Sequence, residues 1–142
     1  VGMTFVLGGM MAGRPDSGLV WTFAIMASLF DLAEEVSGGV MDAEGDALIG
    51  SRSIARLYGR RAALSLVTLL FVSFMALGTV PFIVGWLGWY YLLLIIVADA
   101  AVAYLVVKLW RSSTPEEGRS VQRTLYLTMT LFIVAIFLVV IL

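Results

Sequence analysis

Four runs of mainly apolar residues, at about 19–40, 62–84, 87–110 and 124–142, decide what this chain can fold into. Each is close to the roughly 20 residues that carry an α-helix across the hydrocarbon layer of a membrane. A 142-residue core in water cannot hide them, because 61% of the residues are hydrophobic and only 13% are charged. A soluble domain carries about 25% charged residues. With a mean hydropathy of +1.03, the solvent for most of these side chains is lipid. The expected fold class is all-α, a polytopic transmembrane helix bundle with four full spans. Ahead of them stands "VGMTFVLGGMMA", twelve uncharged residues without the basic n-region of a signal peptide. It reads as the tail of a further span that begins upstream.

What is missing narrows the chemistry. With neither cysteine nor histidine in the chain, thiolate metal sites, cysteine nucleophiles, the usual zinc ligands and the usual general base are excluded. A net charge of −1 supplies no basic field for a phosphate backbone, so nucleic acid is not an expected partner. Carboxylates, arginines, hydroxyls and oxygen-seeking metals remain.

The basic residues are not scattered. Eight of the nine fall in two alternate connections, with Arg52, Arg56, Arg60 and Arg61 in one and Lys108, Arg111, Arg119 and Arg123 in the other. Lys and Arg collect in cytoplasmic loops, so both connections are expected on the cytoplasmic face, with the C-terminus outside. The uncharged connection at 81–88 and its flank place Trp86, Trp89, Tyr90 and Tyr91 where an interfacial aromatic belt anchors spans. Met10, Met11 and the phenylalanines read as packing.

The acids form a second pattern. Asp31, Glu34 and Glu35 lie late in the first run, and "MDAEGDALIGSRSIARLYGRR" (41–61) follows, with three acids ahead of four arginines. Along a continuous helix Asp31, Glu35, Asp42 and Asp46 fall within roughly 60° of one another, with Glu44 nearly opposite. Gly38-Gly39 and Gly45 argue against unbroken helix, so the i,i+4 pairs Asp31/Glu35 and Asp42/Asp46 are the firmer units. Carboxylates cost about 2.5–3.5 kcal/mol each near the bilayer centre, and water, protonation or a divalent cation must offset that. Mg²⁺ takes one or two carboxylates plus substrate phosphates, which suits D-x-x-x-D, and the arginines that follow can hold phosphate charge. A solvated charge cluster at the membrane edge gives the same pattern. An EF-hand does not, because the twelve-residue ligand order and closing glutamate are absent.

The stretch "DAEGDALIGSRSIARLYGRRAA" (42–63) resembles the second aspartate-rich motif of the UbiA superfamily of intramembrane prenyltransferases. That motif reads D-x-E-G-D-x-x-x-G-x-(K/R)-(T/S)-(L/I)-P-x-x-x-G-(K/R). Asp42, Glu44, Gly45, Asp46, Gly50, Arg52, Ser53, Ile54, Gly59 and Arg60 match it. "GWLGWYYLLLIIVADAAVAY" (85–104) is similar to the aromatic-rich late span of archaeal-type members. Relatives often carry Arg-Glu-x-x-Lys-Asp upstream of the motif, where this chain has Glu34-Glu35-Val36-Ser37-Gly38-Gly39, and Ala55 stands at the motif's proline. The family's first aspartate-rich motif has no counterpart within residues 1–142.

The resemblance implies a nine-helix bundle, of which residues 1–142 are the C-terminal half of a single prenyltransferase domain. A missing N-terminal half then carries the first motif. It implies Mg²⁺ as cofactor and a prenyl diphosphate as donor. An aromatic or lipid-precursor acceptor takes the prenyl group, in the plasma membrane of a prokaryote with the site toward the cytoplasm. Asp42 and Asp46 become the candidate catalytic metal ligands, with Glu35 and Asp31 behind them. Arg52, Arg56 and Arg60 become candidate diphosphate contacts. Asp99, mid-span and costly in lipid, is expected to face the bundle interior. The competing reading is a fragment of a transporter or channel in which acids such as Asp31 and Asp99 pass protons or cations.

Overall fold

The computed structural model describes residues 1–43, 48, 50 and 52–141, and among these every regular element is a helix. They are α1 (Gly2–Met11), α2 (Gly18–Met41), α3 (Ile54–Gly78), α4 (Val80–Ile83), α5 (Trp89–Arg111) and α6 (Pro115–Ile141). Backbone groups in lipid must be paired within their own segment, which helices achieve and open strands do not.

Contacts fix the topology. Antiparallel α1 lies on α2, with Gly2 against Ser28 and Gly9 against Val20. The α2–α3 pair is also antiparallel, since Gly39 meets Ser53 while Phe30 packs on Phe71 and Phe74. Gly78 at the end of α3 meets Ile95 on α5, α6 returns alongside α5, and it also touches α2. Helices α2, α3, α5 and α6 therefore form an up-down-up-down ring. The end of α2, the start of α3, the end of α5 and the start of α6 share one end of it. Both arginine-rich connections lie at that end.

Burying an apolar side chain against another helix gains little over burying it in lipid, so packing here depends on close approach and polar ties. On α5 the buried positions Tyr91, Ile95, Ala98, Val102, Leu105 and Leu109 repeat at alternating spacings of four and three, one face of a helix. Leu93, Ile96, Val97, Leu131 and Ile133 are exposed and meet lipid. Trp110 Nε1 donates to Thr68 Oγ1 at 2.9 Å, tying α5 to α3.

Tyr91 departs from the expected belt. It is 2% exposed, and its hydroxyl donates to the Gly78 carbonyl at 2.7 Å. The helix register turns Tyr91 inward while Trp86, Trp89 and Tyr90 stay exposed, so the four aromatics split into three surface residues and one internal strut.

Of the four expected spans, three helical stretches are long and apolar enough to cross a membrane: Ile54–Ile83, Trp89–Arg111 and Pro115–Leu138. The exception is α2. Its 24 residues reach about 36 Å at 1.5 Å per residue, but Asp31, Glu34 and Glu35 fall within every 18-residue stretch of it. Length suits a span, and charge makes this helix depend on its neighbours. The chain is an integral membrane protein, and α2 is the helix that carries its polar equipment.

Two boundaries also move. α3 begins at Ile54 rather than near 62, with a bend at Gly59, where φ is 86° and ψ 161°. α6 begins at Pro115 rather than near 124. Thr114 precedes it as an N-cap, its Oγ1 accepting from the Glu117 N–H at 3.3 Å, while Glu117 Oε2 accepts from the Ser113 N–H at 2.8 Å. Thr114-Pro115-Glu116-Glu117 is a capping-box start with proline in the first turn.

Candidate active site

Helix α2 runs unbroken through Gly38-Gly39 and stops at Asp42, whose N–H donates to the Gly38 carbonyl at 2.9 Å. The paired glycines do not break the helix. They thin it, so that a side-chain carbon added at Gly39 would lie 3.2 Å from Ser53 Cβ. This close approach brings the start of α3 against the acidic end of α2.

The result is an open cleft of about 550 Å³ walled by Leu32, Glu35, Val36, Gly38, Gly39, Asp42, Arg52, Ser53 and Ile54. Glu35, Asp42 and Arg52, all exposed, share this space. Ser53 Oγ, on the same wall, is buried with no hydrogen-bond partner among the described residues. A buried hydroxyl without a partner costs about 1–3 kcal/mol, and a phosphate oxygen in the cleft would satisfy it. Two carboxylates beside open space suit Mg²⁺, which keeps several waters and leans on substrate phosphates. The residues fit a magnesium diphosphate.

Asp31 does not join them. One turn from Glu35, it borders a second cavity of about 340 Å³ between α1, α2, α3 and α6, walled by Phe5, Phe23, Met26, Phe30, Phe74, Met129, Phe132 and Ile136, with Asp31 and Tyr126 as its polar members beside Thr130. The i,i+4 pair expected to act together thus borders two spaces, Glu35 the one beside the start of α3 and Asp31 the one among α1, α2, α3 and α6. Asp46 and Glu44 lie outside the described residues, and no group of three or more acids able to hold a metal occurs among those that are described.

The arginines also separate. Arg52 is in the cleft, and Arg56 is on the short arm 54–58 ahead of the bend. Arg60 instead reaches the carboxyl end of α5, donating to Ser112 O at 2.7 Å, Ser112 Oγ at 3.1 Å and Leu109 O at 3.2 Å. A guanidinium there pairs otherwise open helix carbonyls and meets the negative end of the helix dipole. Asp99 is half-buried in α5, its Oδ1 buried without a partner among the described residues, well along the helix from the cleft.

A set of residues that the sequence alone did not single out completes the site. Arg119 Nη2 donates to Asp42 Oδ1 at 2.6 Å. Gln122 Nε2 donates to Ser37 Oγ at 2.8 Å and to the Glu34 carbonyl at 3.2 Å, and the Tyr126 hydroxyl donates to Glu34 Oε2. Positions 119, 122 and 126 form one stripe of α6 at helical spacing, laid along the polar edge of α2. The signal was present in the 3- and 4-residue steps. It becomes readable only once residues 115–123 are known to be helix rather than loop.

A family model described as the UbiA prenyltransferase family matches residues 1–132. Two proteins named digeranylgeranylglyceryl phosphate synthase are similar to this chain at a level that bears on the site. The one from Halobacterium salinarum is 35% identical over 119 residues, which is 83% of this chain and 41% of that protein. The one from Methanopyrus kandleri is 33% identical over 102 residues, 72% of this chain and 37% of that protein. The chain thus spans less than half the length of these curated relatives. No solved structure matches it.

Proposed function

The chain belongs to the UbiA prenyltransferase family, and from that premise we propose that it is the C-terminal half of a Mg²⁺-dependent enzyme transferring a prenyl group from a prenyl diphosphate to a lipid precursor. The observation that carries this reading is the adjacency of two spaces. A polar cleft holding Glu35, Asp42, Arg52 and Ser53 lies one helical turn from an apolar cavity lined by Phe30, Phe74 and Met129. A diphosphate head suits the first and a hydrocarbon tail suits the second. Between an aromatic and a lipid-precursor acceptor, the shared name of the relatives favours a prenylated glyceryl phosphate.

In this reading Asp42 and Glu35, together with Asp46 from the motif, hold the metal, and Arg52 and the Ser53 hydroxyl bind diphosphate oxygens. Bound Mg²⁺ supplies charge neutralisation to the departing diphosphate. Arg52 adds a fixed positive charge where negative charge builds as the C1–O bond breaks. The phenylalanine-lined walls exclude water, which keeps the allylic cation available to the acceptor. Asp31, at the mouth of the apolar cavity, serves as a secondary polar contact. The acids do not form a row across the bilayer, as cation passage requires, because among the described acids within the three apolar spans only Asp99 is mid-span, while Glu116 and Glu117 sit in the first turn of α6.

Arg52→Gln tests the cleft assignment. A charged hydrogen bond to phosphate is worth about 1.5–3 kcal/mol, so KM for the prenyl diphosphate should rise by about tenfold or more while KM for the acceptor stays within about twofold. Equal effects on both substrates would move the diphosphate elsewhere. Orientation is tested separately, since the chain has no cysteine. With the basic end in the cytoplasm, Asp16→Cys should react with a membrane-impermeant thiol reagent outside intact cells and Ser113→Cys should not. The opposite labelling would reverse the orientation.

A further inference from the structure

Arg119 stands in an unusual position for a residue outside the motif, because it occupies an oxygen of Asp42 that the proposed metal site needs. We propose that Arg119 holds the Asp42 carboxylate until a divalent cation displaces it, and that the released guanidinium then takes the diphosphate. This rests on the reading of the cleft as a magnesium diphosphate site.

The geometry supports a side chain that lets go while its helix stays. The contact is single-pronged, Nη2 to Oδ1 at 2.6 Å, and both side chains are more than half exposed, at 59% and 55%. Exposed ion pairs of this kind are weak and exchange readily with solvent. The α6 backbone does not depend on this contact. Gln122 and Tyr126 tie α6 to α2 at Ser37 and Glu34, and Gly118 packs so closely on the Met41 side chain that an added side-chain carbon would displace the thioether. These three contacts keep Arg119 beside the cleft whether or not it is paired. A cation on the Asp42 carboxylate draws charge from the oxygen that Arg119 uses and sets a second positive charge beside the guanidinium, so the two compete for Asp42. A bound cation therefore loosens the hold on Arg119, and an incoming diphosphate offers it a more highly charged partner. Arg119 is on this account a binding residue that links cation and anion binding.

The test uses the full chain in detergent, with Mn²⁺ followed by electron paramagnetic resonance and inorganic pyrophosphate as the anion. Arg119→Gln should tighten Mn²⁺ binding about two- to fivefold in the absence of pyrophosphate, the range expected for loss of an exposed competing ion pair. The same variant should weaken pyrophosphate binding in the presence of Mn²⁺ and reduce the factor by which each ligand strengthens the other, a factor that is reciprocal by linkage. Arg119→Lys keeps the charge in a more strongly hydrated form and should fall between wild type and Arg119→Gln in both measurements, which also serves if the glutamine variant does not fold. Mn²⁺ binding that is unchanged or weaker in both variants would make Arg119 a structural tie only and overturn the proposal. Asp42→Asn separates the two levels. If it leaves Mn²⁺ affinity unchanged, the metal reading of the cleft fails. If it weakens Mn²⁺ while the Arg119 variants do nothing, only the present inference fails.

Discussion

Asp42→Asn should reduce prenyl transfer by at least about a hundredfold, the scale seen when one preorganised electrostatic contact to a reacting group is lost. Asparagine keeps the size of the side chain and its acceptor oxygen, so the end of α2 and the contact with Arg119 can persist. What disappears is the negative charge that a hard cation requires. The same substitution at Asp46, argued from the D-x-x-x-D spacing alone, should have a comparable effect. Glu116→Gln, an exposed acid at the same end of the bundle but off the cleft, should stay within about twofold of wild type, which separates a local role from general surface charge. Steady-state assays of the full-length enzyme at saturating prenyl diphosphate decide it. Activity of Asp42→Asn within about threefold, roughly 0.65 kcal/mol of barrier, would remove the ligand assignment.

Gly59→Ala should destabilise the protein by about 1–3 kcal/mol, because the conformation held there is open almost only to glycine. With φ at 86° and ψ at 161°, a β-carbon strains the backbone even though nothing lies within 4 Å of where it would sit. The loss is therefore conformational and not a clash. Gly8→Ala is the matched control. It is also open, but lies in ordinary helix in α1, where alanine is the better residue by about 1 kcal/mol. Denaturant titration in mixed micelles should show the Gly59→Ala midpoint falling and the Gly8→Ala midpoint unchanged or higher. Prenyl transfer should fall with Gly59→Ala as well, because the bend aims the short arm 54–58 over the cleft and sets Arg60 against α5. Equal midpoints for the two variants would show that Gly59 leaves its bend at no cost.

The sequence was most legible where lipid leaves few choices. Apolar runs near 20 residues led directly to the helices α3, α5 and α6, and the two arginine clusters led to a shared end of the bundle. It was least legible where polar residues meet across elements. The early start of α6 was hidden because Glu116, Glu117, Arg119 and Arg123 interrupt the apolar run, so residues 115–123 read as a basic loop. The cap at Thr114 explains the helix, but only the fold shows that its stripe meets α2. Spacing placed Asp31 and Glu35 on one face correctly. It could not register that the start of α3 borders the second and not the first. Arg60 matched the motif yet reaches a carbonyl end of α5, a contact 52 residues away in the chain that no local pattern encodes. Tyr91 was one aromatic in a row of four until helix register turned it inward.

The polar stripe between α2 and α6 also bears on how such a protein is made. Asp42 meets a partner 77 residues further along the chain, and Glu34 meets one 92 residues further. At about 5–20 residues per second of synthesis, the acidic helix waits roughly 4–18 s before its matching stripe leaves the ribosome. During that interval α2, with Asp31, Glu34 and Glu35 in its second half, has no α6 beside it. Until α6 arrives α2 is held by α1 and α3, and a ribosome that stalls before residue 119 leaves Asp42 and Glu34 without these two partners.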